Sequence, residues 1–324
     1  MFSYLRLTRT AFTVAALLAA ALAPAHAADK VRAGKAINVI WAMVPVDIGV
    51  EQGIFAKYGI DLEISVMSGD AKMQQGLIAG SLDIGLAGGS SLVFAVKGGG
   101  VVRGIAAIAG APKNFSATVA ADSAINSVQD LKNKLFSVAS SGSFPEWLVK
   151  RLSIAQGWGP TGIRTTALGG FEASAAAMRT HQVDGFMGAT EAGLMLEEAH
   201  VGKIITGMES YVPHFHNHVL MARTELIDKQ PDVVERFLKG FFASVAFMKA
   251  NREKTIEISS RVMHMSTNVM SKTYDDEIAM MSDDGAFDPQ AIEVLKDSYV
   301  EIGALAEKPT TEQLLTTRFT PVKP

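Results

Sequence analysis

Short apolar runs alternate with amphipathic segments along most of the chain, and this alternation starts twice. Residues 37–109 follow a strand–helix rhythm, and residues 135–206 repeat it. Parallel strands joined by helices produce this rhythm, which predicts mostly parallel sheets with helices on both faces. The second start predicts two α/β units, and the later residues are mainly helical in pattern.

The apolar periodicity and the Gly and Pro positions set the boundaries of each predicted element. The predicted strands are 37–43, 61–66, 82–87, 101–109, 135–139, 163–168, 183–187, 203–206 and 216–222. The predicted helices are 45–57, 70–79, 92–97, 144–156, 171–180, 190–199, 231–250, 255–265, 271–281 and 289–302. In each unit a glycine, Gly69 or Gly170, precedes an aspartate, Asp83 or Asp184, by the same interval. This match indicates a duplicated unit, with coincidence as the alternative.

The N-terminal residues have the three-part pattern of a secretory signal peptide. Arg6 and Arg9 precede the apolar run 11–23, and Ala25-His26-Ala27 follows as a small-residue cleavage site. The run is short for a membrane-spanning helix, which is the alternative. We therefore expect cleavage after Ala27 and a periplasmic location.

Composition excludes several kinds of chemistry. The chain of 324 residues has no cysteine, so disulfides, thiolate metal sites, a cysteine nucleophile and a lipidated N-terminal cysteine are excluded. Its net charge of −3 comes from 30 basic and 33 acidic residues, a balance that argues against nucleic acid as a partner. We expect no cofactor and no resident metal.

Three turns at predicted strand ends combine small residues with hydroxyl groups. They are Gly88-Gly89-Ser90-Ser91, Ser140-Ser141-Gly142-Ser143 and Ala189-Thr190. Ligands bind at the carboxyl ends of strands in open α/β sheets, where helix N-termini present free N–H groups. The turns therefore predict a shared cleft, with ordinary helix N-caps as the alternative.

Other motifs are weaker. The run Gly98-Gly99-Gly100 precedes a strand, and the chain has neither a phosphate-binding loop nor a Gly-x-Ser-x-Gly elbow. His214, His216 and His218 would face one side of a strand, an arrangement that suits a metal. The favoured interpretation is a strand with surface or hinge histidines, in which His216 contacts a ligand if the segment crosses the cleft.

Four segments in order carry the pattern of one protein family. They are Gly49–Glu63, Gly80–Gly85, Val128–Lys134 followed by Ser140–Ser143, and Gln182–Gly185. Together they resemble the periplasmic substrate-binding proteins of ABC importers for nitrate, sulfonates and taurine, which include binders of thiamine pyrimidine precursors. The resemblance covers about residues 36–250.

The resemblance implies a two-lobe, type II periplasmic-binding-protein fold, α/β with mixed, mostly parallel sheets, C-terminal helices and a hinge between the lobes. Lobe 1 would contain residues 28–113 and 217–324, and lobe 2 would contain residues 114–216. The chain would cross between lobes near Lys113–Thr118 and His214–Leu220.

The resemblance also assigns contacts in the cleft. It maps them onto Met43, Val44, Pro45, Gly89, Ser90, Ser91, Ser141, Gly142, Ser143, Gly170, Phe171, Glu172, Ala189, Thr190 and Glu191. These turns contain no Lys or Arg, whereas Glu172 and Glu191 add negative charge, so a small organic solute is expected in preference to nitrate. Trp41 and Phe171 are candidates to stack on that solute, with a core position as the favoured alternative for Trp41.

The implied function is a monomeric binding protein, not an enzyme, that captures a sulfonate, carboxylate or heterocycle and docks on an inner-membrane ABC permease. One alternative is a periplasmic partner that presents its ligand to a membrane sensor. A less favoured alternative is an enzyme of pyrimidine-precursor synthesis, because the fungal enzymes of this fold carry a cysteine-rich iron motif and this chain has no cysteine.

Overall fold

A computed structural model describes residues 28–67, 69–139, 141 and 143–323. The predicted signal peptide, together with Ser140 and Gly142 of the second serine turn, lies outside the described residues. None of the described helices is long and apolar enough to cross a membrane.

The first sheet has the strand order β2-β1-β3-β10-β4. Strand β1 pairs in parallel with β2 and β3, whereas β10 pairs antiparallel with β3 and β4. Its strands are β1 (Asp29–Lys35), β2 (Ile60–Val66), β3 (Ile84–Gly88), β4 (Val102–Ala109) and β10 (His218–Arg223).

The second sheet has the order β7-β6-β8-β5-β9, with β6 parallel to β7 and β8, and β5 antiparallel to β8 and β9. Its strands are β5 (Phe115–Ala120), β6 (Leu135–Val138), β7 (Arg164–Ala167), β8 (Gly185–Ala189) and β9 (Gly202–Gly207). In both sheets the antiparallel strand is the one that arrives from the other sheet. The predicted α/β class with mixed, mostly parallel sheets is confirmed.

Helices flank the sheets and fill the C-terminal third of the chain. They are α1 (Pro45–Glu51), α2 (Ile54–Lys57), α3 (Asp70–Ala79), α4 (Val93–Lys97), α5 (Phe144–Ala155), α6 (Phe171–Arg179), α7 (Thr190–Glu198), α8 (Thr224–Lys229), α9 (Pro231–Ala250), α10 (Arg252–Met263), α11 (Thr267–Glu277), α12 (Pro289–Glu301) and α13 (Thr311–Leu314). Helix α9 packs on α1 and α2, where the rings of Phe55 and Phe237 stack 5.5 Å apart. This packing attaches the C-terminal helices to the first sheet.

Several predicted elements were wrong. The run 37–43 is not a strand, because the first strand is Asp29–Lys35 and Trp41–Met43 form a short 3-10 turn. The side chains of this turn are buried, and an apolar run indicates burial more directly than it indicates a strand. The predicted helix 45–57 is divided at Gly53, whose φ of 63° ends α1. Strand β5 and helix α8 were not predicted.

The connections between the sheets begin earlier than expected, and the second is longer than expected. Residues 110–114 join β4 to β5, and residues 208–217 join β9 to β10. Phe115–Thr118 and His218–Leu220, which were predicted to cross between lobes, are therefore parts of strands. We call residues 110–114 and 208–217 the two connecting segments.

The two sheets share local contacts as well as strand order. Asp83 precedes β3, and its carboxylate accepts the backbone N–H of Arg32 in β1 at 3.0 Å. Asp184 precedes β8, and its carboxylate accepts the N–H of Leu135 in β6 at 2.8 Å. The backbone N–H of Asp83 also donates to the carbonyl of Arg32, and that of Asp184 donates to the carbonyl of Leu135, both at 2.8 Å. The equivalent contacts favour the duplicated unit over coincidence.

Candidate functional site

The loop between β1 and α1 is buried against other parts of the protein. The backbone N–H of Trp41 donates to Oε1 of Glu191 at 2.7 Å, and its indole N–H donates to the hydroxyl of Ser259 at 3.0 Å. The indole also meets the ring of Tyr274 edge to face, with centroids 5.8 Å apart. The burial of Trp41 agrees with the core alternative.

The other predicted contacts of this loop, Met43, Val44 and Pro45, are buried as well. Pro45 occupies the first turn of α1, where its missing N–H costs no hydrogen bond. Met43 and Val44 belong to the same apolar core as Trp41.

Glu191 lies in the first turn of α7 and is fully buried. Burial raises the pKa of its carboxyl to about 7, although the Trp41 N–H bond acts in the opposite direction. Oε2 of Glu191 has no hydrogen-bond partner among the described residues. The α1 loop of the first sheet and the α7 turn of the second thus meet at a carboxyl group.

A second buried carboxyl group lies beside it. Glu277 is the last residue of α11, which packs against α7. Burial raises the pKa of Glu277 well above its ordinary value, and the nearby charges of Glu191 and Asp276 raise it further. Neither oxygen of Glu277 has a hydrogen-bond partner within the described part of the chain.

The first serine turn is tied to the second connecting segment. The N–H of Gly89 donates to the carbonyl of Asn217 at 2.7 Å, and the Gly89 carbonyl accepts the hydroxyl of Tyr299 at 3.0 Å. A Cβ atom at Gly89 would lie 1.7 Å from the carbonyl oxygen of His216. Glycine is required here because two backbones approach closely.

The hydroxyl-bearing residues of this turn lie near an acid. Ser90 is half-buried, and Ser91 is buried. Asp70, the first residue of α3, accepts the N–H of Gly88 at 3.4 Å. Burial raises the pKa of Asp70, whereas the Ser91 hydroxyl and the Gly88 N–H lower it.

The second serine turn is described in part. Ser141 is exposed, and Ser143 is half-buried immediately before α5. The next side chain, Phe144, stacks on Phe215 with centroids 4.8 Å apart and also stacks on Trp147. This aromatic cluster connects the turn to the second connecting segment.

The third turn repeats the contacts of the first. The N–H of Thr190 donates to the carbonyl of Asn114 at 3.0 Å, as Gly89 does to Asn217. The Thr190 hydroxyl donates to the carbonyl of Lys113 at 3.1 Å. The two buried asparagines, Asn114 and Asn217, also bond to each other through their side-chain amides. They join the two connecting segments.

Phe171 and Glu172 lie at the start of α6. The ring of Phe171 packs edge to face against Phe186 of β8, with centroids 6.0 Å apart, and Glu172 is exposed. The described contacts of Phe171 are thus with the second sheet. The structure brings together the Trp41 loop and Glu191, and it joins Gly89 to His216 and Asn217.

The three histidines do not line one face of a strand, because β10 begins only at His218. His214 is exposed with Nδ1 3.6 Å from Asp288, whereas Nε2 of the buried His216 accepts the N–H of Asp288 at 2.8 Å. Burial lowers the pKa of His216 to about 4 and that of His218 to about 3. The described residues contain no group of three or more His, Asp or Glu able to hold a metal.

Further contacts join elements that flank the two sheets. Ser266 and Asn268 of the α11 region donate to Oε1 of Glu198 in α7 at 2.8 and 3.1 Å. The indole N–H of Trp147 in α5 donates to Oε2 of Glu301 in α12 at 2.6 Å. Two surface recesses lie elsewhere, one along α10 and one beside Arg103 and α13, and no predicted site residue lines either.

Asp70, Asn114 and Glu277 were not predicted from the sequence. Asp70 follows the end of a strand, so the rule that selected the serine turns also applies to it. No sequence pattern pointed to Asn114, because strand β5, which follows it, was not predicted. None pointed to Glu277, because only the three-dimensional packing of α11 on α7 brings it to Glu191.

Solved structures of other proteins share this fold. The alkanesulfonate-binding protein SsuA from Xanthomonas axonopodis pv. citri superposes with a TM-score of 0.73 at 17% identity, over 88% of this chain and 96% of that one. The periplasmic aliphatic sulphonate binding protein SsuA from Escherichia coli gives a TM-score of 0.74 at 18% identity, over 89% and 92%. The desulfurization enzyme DszB gives 0.65 at 13% identity, over 90% and 97%.

At these identities the likeness shows the fold, and it confirms the predicted periplasmic-binding-protein architecture. No curated protein sequence matches the chain. The family model described as NMT1/THI5 like matches residues 43–255, which is more than half of the chain. The chain therefore belongs to the NMT1/THI5-like family.

Proposed function

We propose that this protein is the periplasmic solute-binding component of an ABC importer and captures a small organic solute between two lobes that close on a hinge. Lobe 1 would comprise residues 28–113 and 217–324, and lobe 2 residues 114–216. The observation that carries the proposal is the pair of like-ordered sheets joined by two connecting segments that meet at Asn114 and Asn217. Two connections with one shared bond favour rotation about a single axis.

The proposal includes secretion, with the signal peptide removed after Ala27, and docking of the closed monomer on an inner-membrane permease. The family membership and the shared fold of the SsuA proteins support a solute-binding role. The enzyme alternative is not favoured, although DszB shows that this fold also supports catalysis. A neighbouring sensor-kinase gene, in place of permease and ATPase genes, would favour the sensor alternative.

Closure can be tested directly because the chain has no native cysteine to compete for labelling. Asp61 and Arg164 are exposed on β2 and β7, the equivalent edge strands of the two sheets. After a thermal-shift screen of sulfonates, aromatic carboxylates, amino acids and pyrimidines identifies a ligand, the labelled double variant Asp61→Cys/Arg164→Cys should change its energy transfer when that ligand binds.

The matched control places both labels on lobe 1, in the variant Asp61→Cys/Lys97→Cys, since Lys97 is also exposed. Its energy transfer should stay constant. If a ligand that binds by calorimetry leaves the interlobe pair as unchanged as the control pair, hinge closure is refuted.

The serine turns have their own test. We expect the double variant Ser90→Ala/Ser143→Ala to lose solute binding because two hydroxyl partners of the bound solute would be removed, while its thermal stability stays close to that of the parent. Calorimetry of the identified ligand measures this. An unchanged affinity would remove both serines from the site.

A further inference from the structure

Two fully buried carboxyl groups from different parts of the chain are close enough to act on each other electrostatically where α11 packs on α7. Glu191 belongs to α7, which packs on the second sheet. Glu277 ends α11, and the residues that follow it run along β4 of the first sheet, where the N–H of Ser282 donates to the carbonyl of Ile108 at 2.9 Å. Closure of the two lobes would therefore assemble this pair.

The pair has unused capacity to accept hydrogen bonds. Oε2 of Glu191 and both oxygens of Glu277 are buried without a partner among the described residues. Two adjacent carboxylates in a buried site cannot both be ionised unless a positive charge lies between them.

The charged side chains on the surrounding elements do not supply that charge. None of the described Lys or Arg side chains forms an ion pair with Glu191 or Glu277, and the nearby Arg252 pairs with another acid. Arg252 forms an ion pair with Asp275 at 2.7 Å, and the charge of Lys272 lowers the pKa of the exposed Glu198. Asp276 adds further negative charge near Glu277.

A separate observation points to a ligand at the same place. The hydroxyl of Thr273, which is 1% exposed, also has no partner in the described structure. Thr273 lies one helical turn before Glu277 and therefore on the same face of α11. Aromatic rings attract cations, and Trp41 is close because its N–H donates to Glu191, whereas the ring of Tyr274 already carries the Arg252 guanidinium 5.5 Å from its centroid. Two unpartnered carboxyl groups and a hydroxyl beside the Trp41 ring match a ligand group that donates hydrogen bonds and carries positive charge.

We propose that Glu191, Glu277 and Thr273 form a subsite for a cationic nitrogen of the solute, an ammonium or amidinium group, completed when the lobes close. This inference rests on the proposed capture of a solute between the lobes. The solute would bind with its cationic group directed at α11. This positive charge would replace the proton that Glu191 and Glu277 hold when no solute is bound. A simple alkanesulfonate offers no such group.

The test compares probes of opposite charge on the mature chain. We expect 1,4-diaminobutane or benzamidine to raise the melting temperature, and butanesulfonate and benzoate to leave it unchanged. In the variant Glu277→Gln, calorimetric affinity for the cationic probe should fall by about tenfold or more, because a neutral amide replaces a buried charge partner. The matched control Glu198→Gln removes an exposed carboxylate from the same helix pair and should keep its affinity within about twofold.

Proton release gives a second readout that a purely structural role would not produce. Calorimetry in buffers of different ionisation enthalpy should show release of about one proton when the cationic probe binds near about pH 6. Binding of butanesulfonate or benzoate alone would overturn the cation subsite and leave interlobe capture standing. Equal affinities in the parent and Glu277→Gln would also overturn it, and a lack of response to both classes would count against both proposals.

Discussion

The buried carboxyl of Glu191 predicts an unusual dependence of stability on pH. Its pKa is about 7 in the native state, against an ordinary value of 4.5. Between these values the native state binds the proton and the unfolded state releases it, so stability falls as pH rises. The contribution of Glu191 to the free energy of unfolding is complete below about pH 4.5 and is lost as pH rises through about 7. A pKa shift of this size corresponds to about 3 kcal/mol. Glu277 acts in the same direction because its pKa is also raised.

Two buried histidines have the opposite effect at lower pH. The native pKa values of His216 and His218, about 4 and about 3, lie below the ordinary 6.5. Their contribution is complete above about pH 6.5 and is lost as pH falls, because the unfolded chain then gains protons that the native chain does not bind. The raw stability profile should therefore have a maximum, and only a comparison of variants isolates the carboxyl.

Glu191→Gln provides that comparison because its side-chain oxygen can still accept the Trp41 N–H. Urea unfolding of the mature chain, followed by tryptophan fluorescence, should give similar free energies for parent and variant near about pH 5. Near about pH 8 the variant should be more stable by about 3 kcal/mol, since it avoids a buried charge. Glu198→Gln, in the exposed last position of α7, should keep the parent's profile. A constant difference between the parent and Glu191→Gln from pH 5 to pH 8 would refute the reasoning.

Gly89→Ala should lower the free energy of unfolding by about 1–3 kcal/mol, because its Cβ would meet the His216 carbonyl. Gly88→Ala is the matched control, since a Cβ there has no neighbour nearer than 3.5 Å, and equal losses in urea unfolding would contradict the close approach. Asn114→Ala and Asn217→Ala should each cost about 1–3 kcal/mol by leaving a buried amide unpaired. Together they should cost less than the sum of the single losses, and strict additivity in a double-mutant cycle would show that the two amides are not coupled.

Most elements of the two α/β units were predictable because their patterns are local. The runs that became β4, α6 and α9 are bounded by Gly or Pro, and their apolar spacing distinguishes strand from helix. The failures have a common physical cause. Strand β5 contains Ser116 and Thr118, which are buried polar residues, so it lacks the apolar pattern of a buried strand. Trp41–Met43 has that apolar pattern because it is buried, although its backbone is not a strand. In both cases the residue pattern reflects the surroundings of the segment and not its backbone conformation.

The candidate site was predictable only as far as strand ends reveal it. The expectation that ligands bind at the carboxyl ends of strands selected Gly89 and Thr190, which occupy equivalent places after β3 and β8. It could not reveal their partners, because Asn114 and Asn217 come from connecting segments. Glu277 lies 86 positions from Glu191, and no periodicity links them.

The backbone N–H groups of Gly89 and Thr190 bear on which kind of solute the proposed cleft would bind. Free N–H groups at Gly89 and Thr190 would suit an anion. Both instead donate to the asparagine carbonyls of the connecting segments, so neither is free to bind an anion. Where α11 meets α7, the buried polar groups without a partner among the described residues are the carboxyl oxygens of Glu191 and Glu277 and the hydroxyl of Thr273. In the proposed cleft, the unpartnered carboxyl oxygens of Glu191 and Glu277 favour a solute that donates hydrogen bonds over a bare anion.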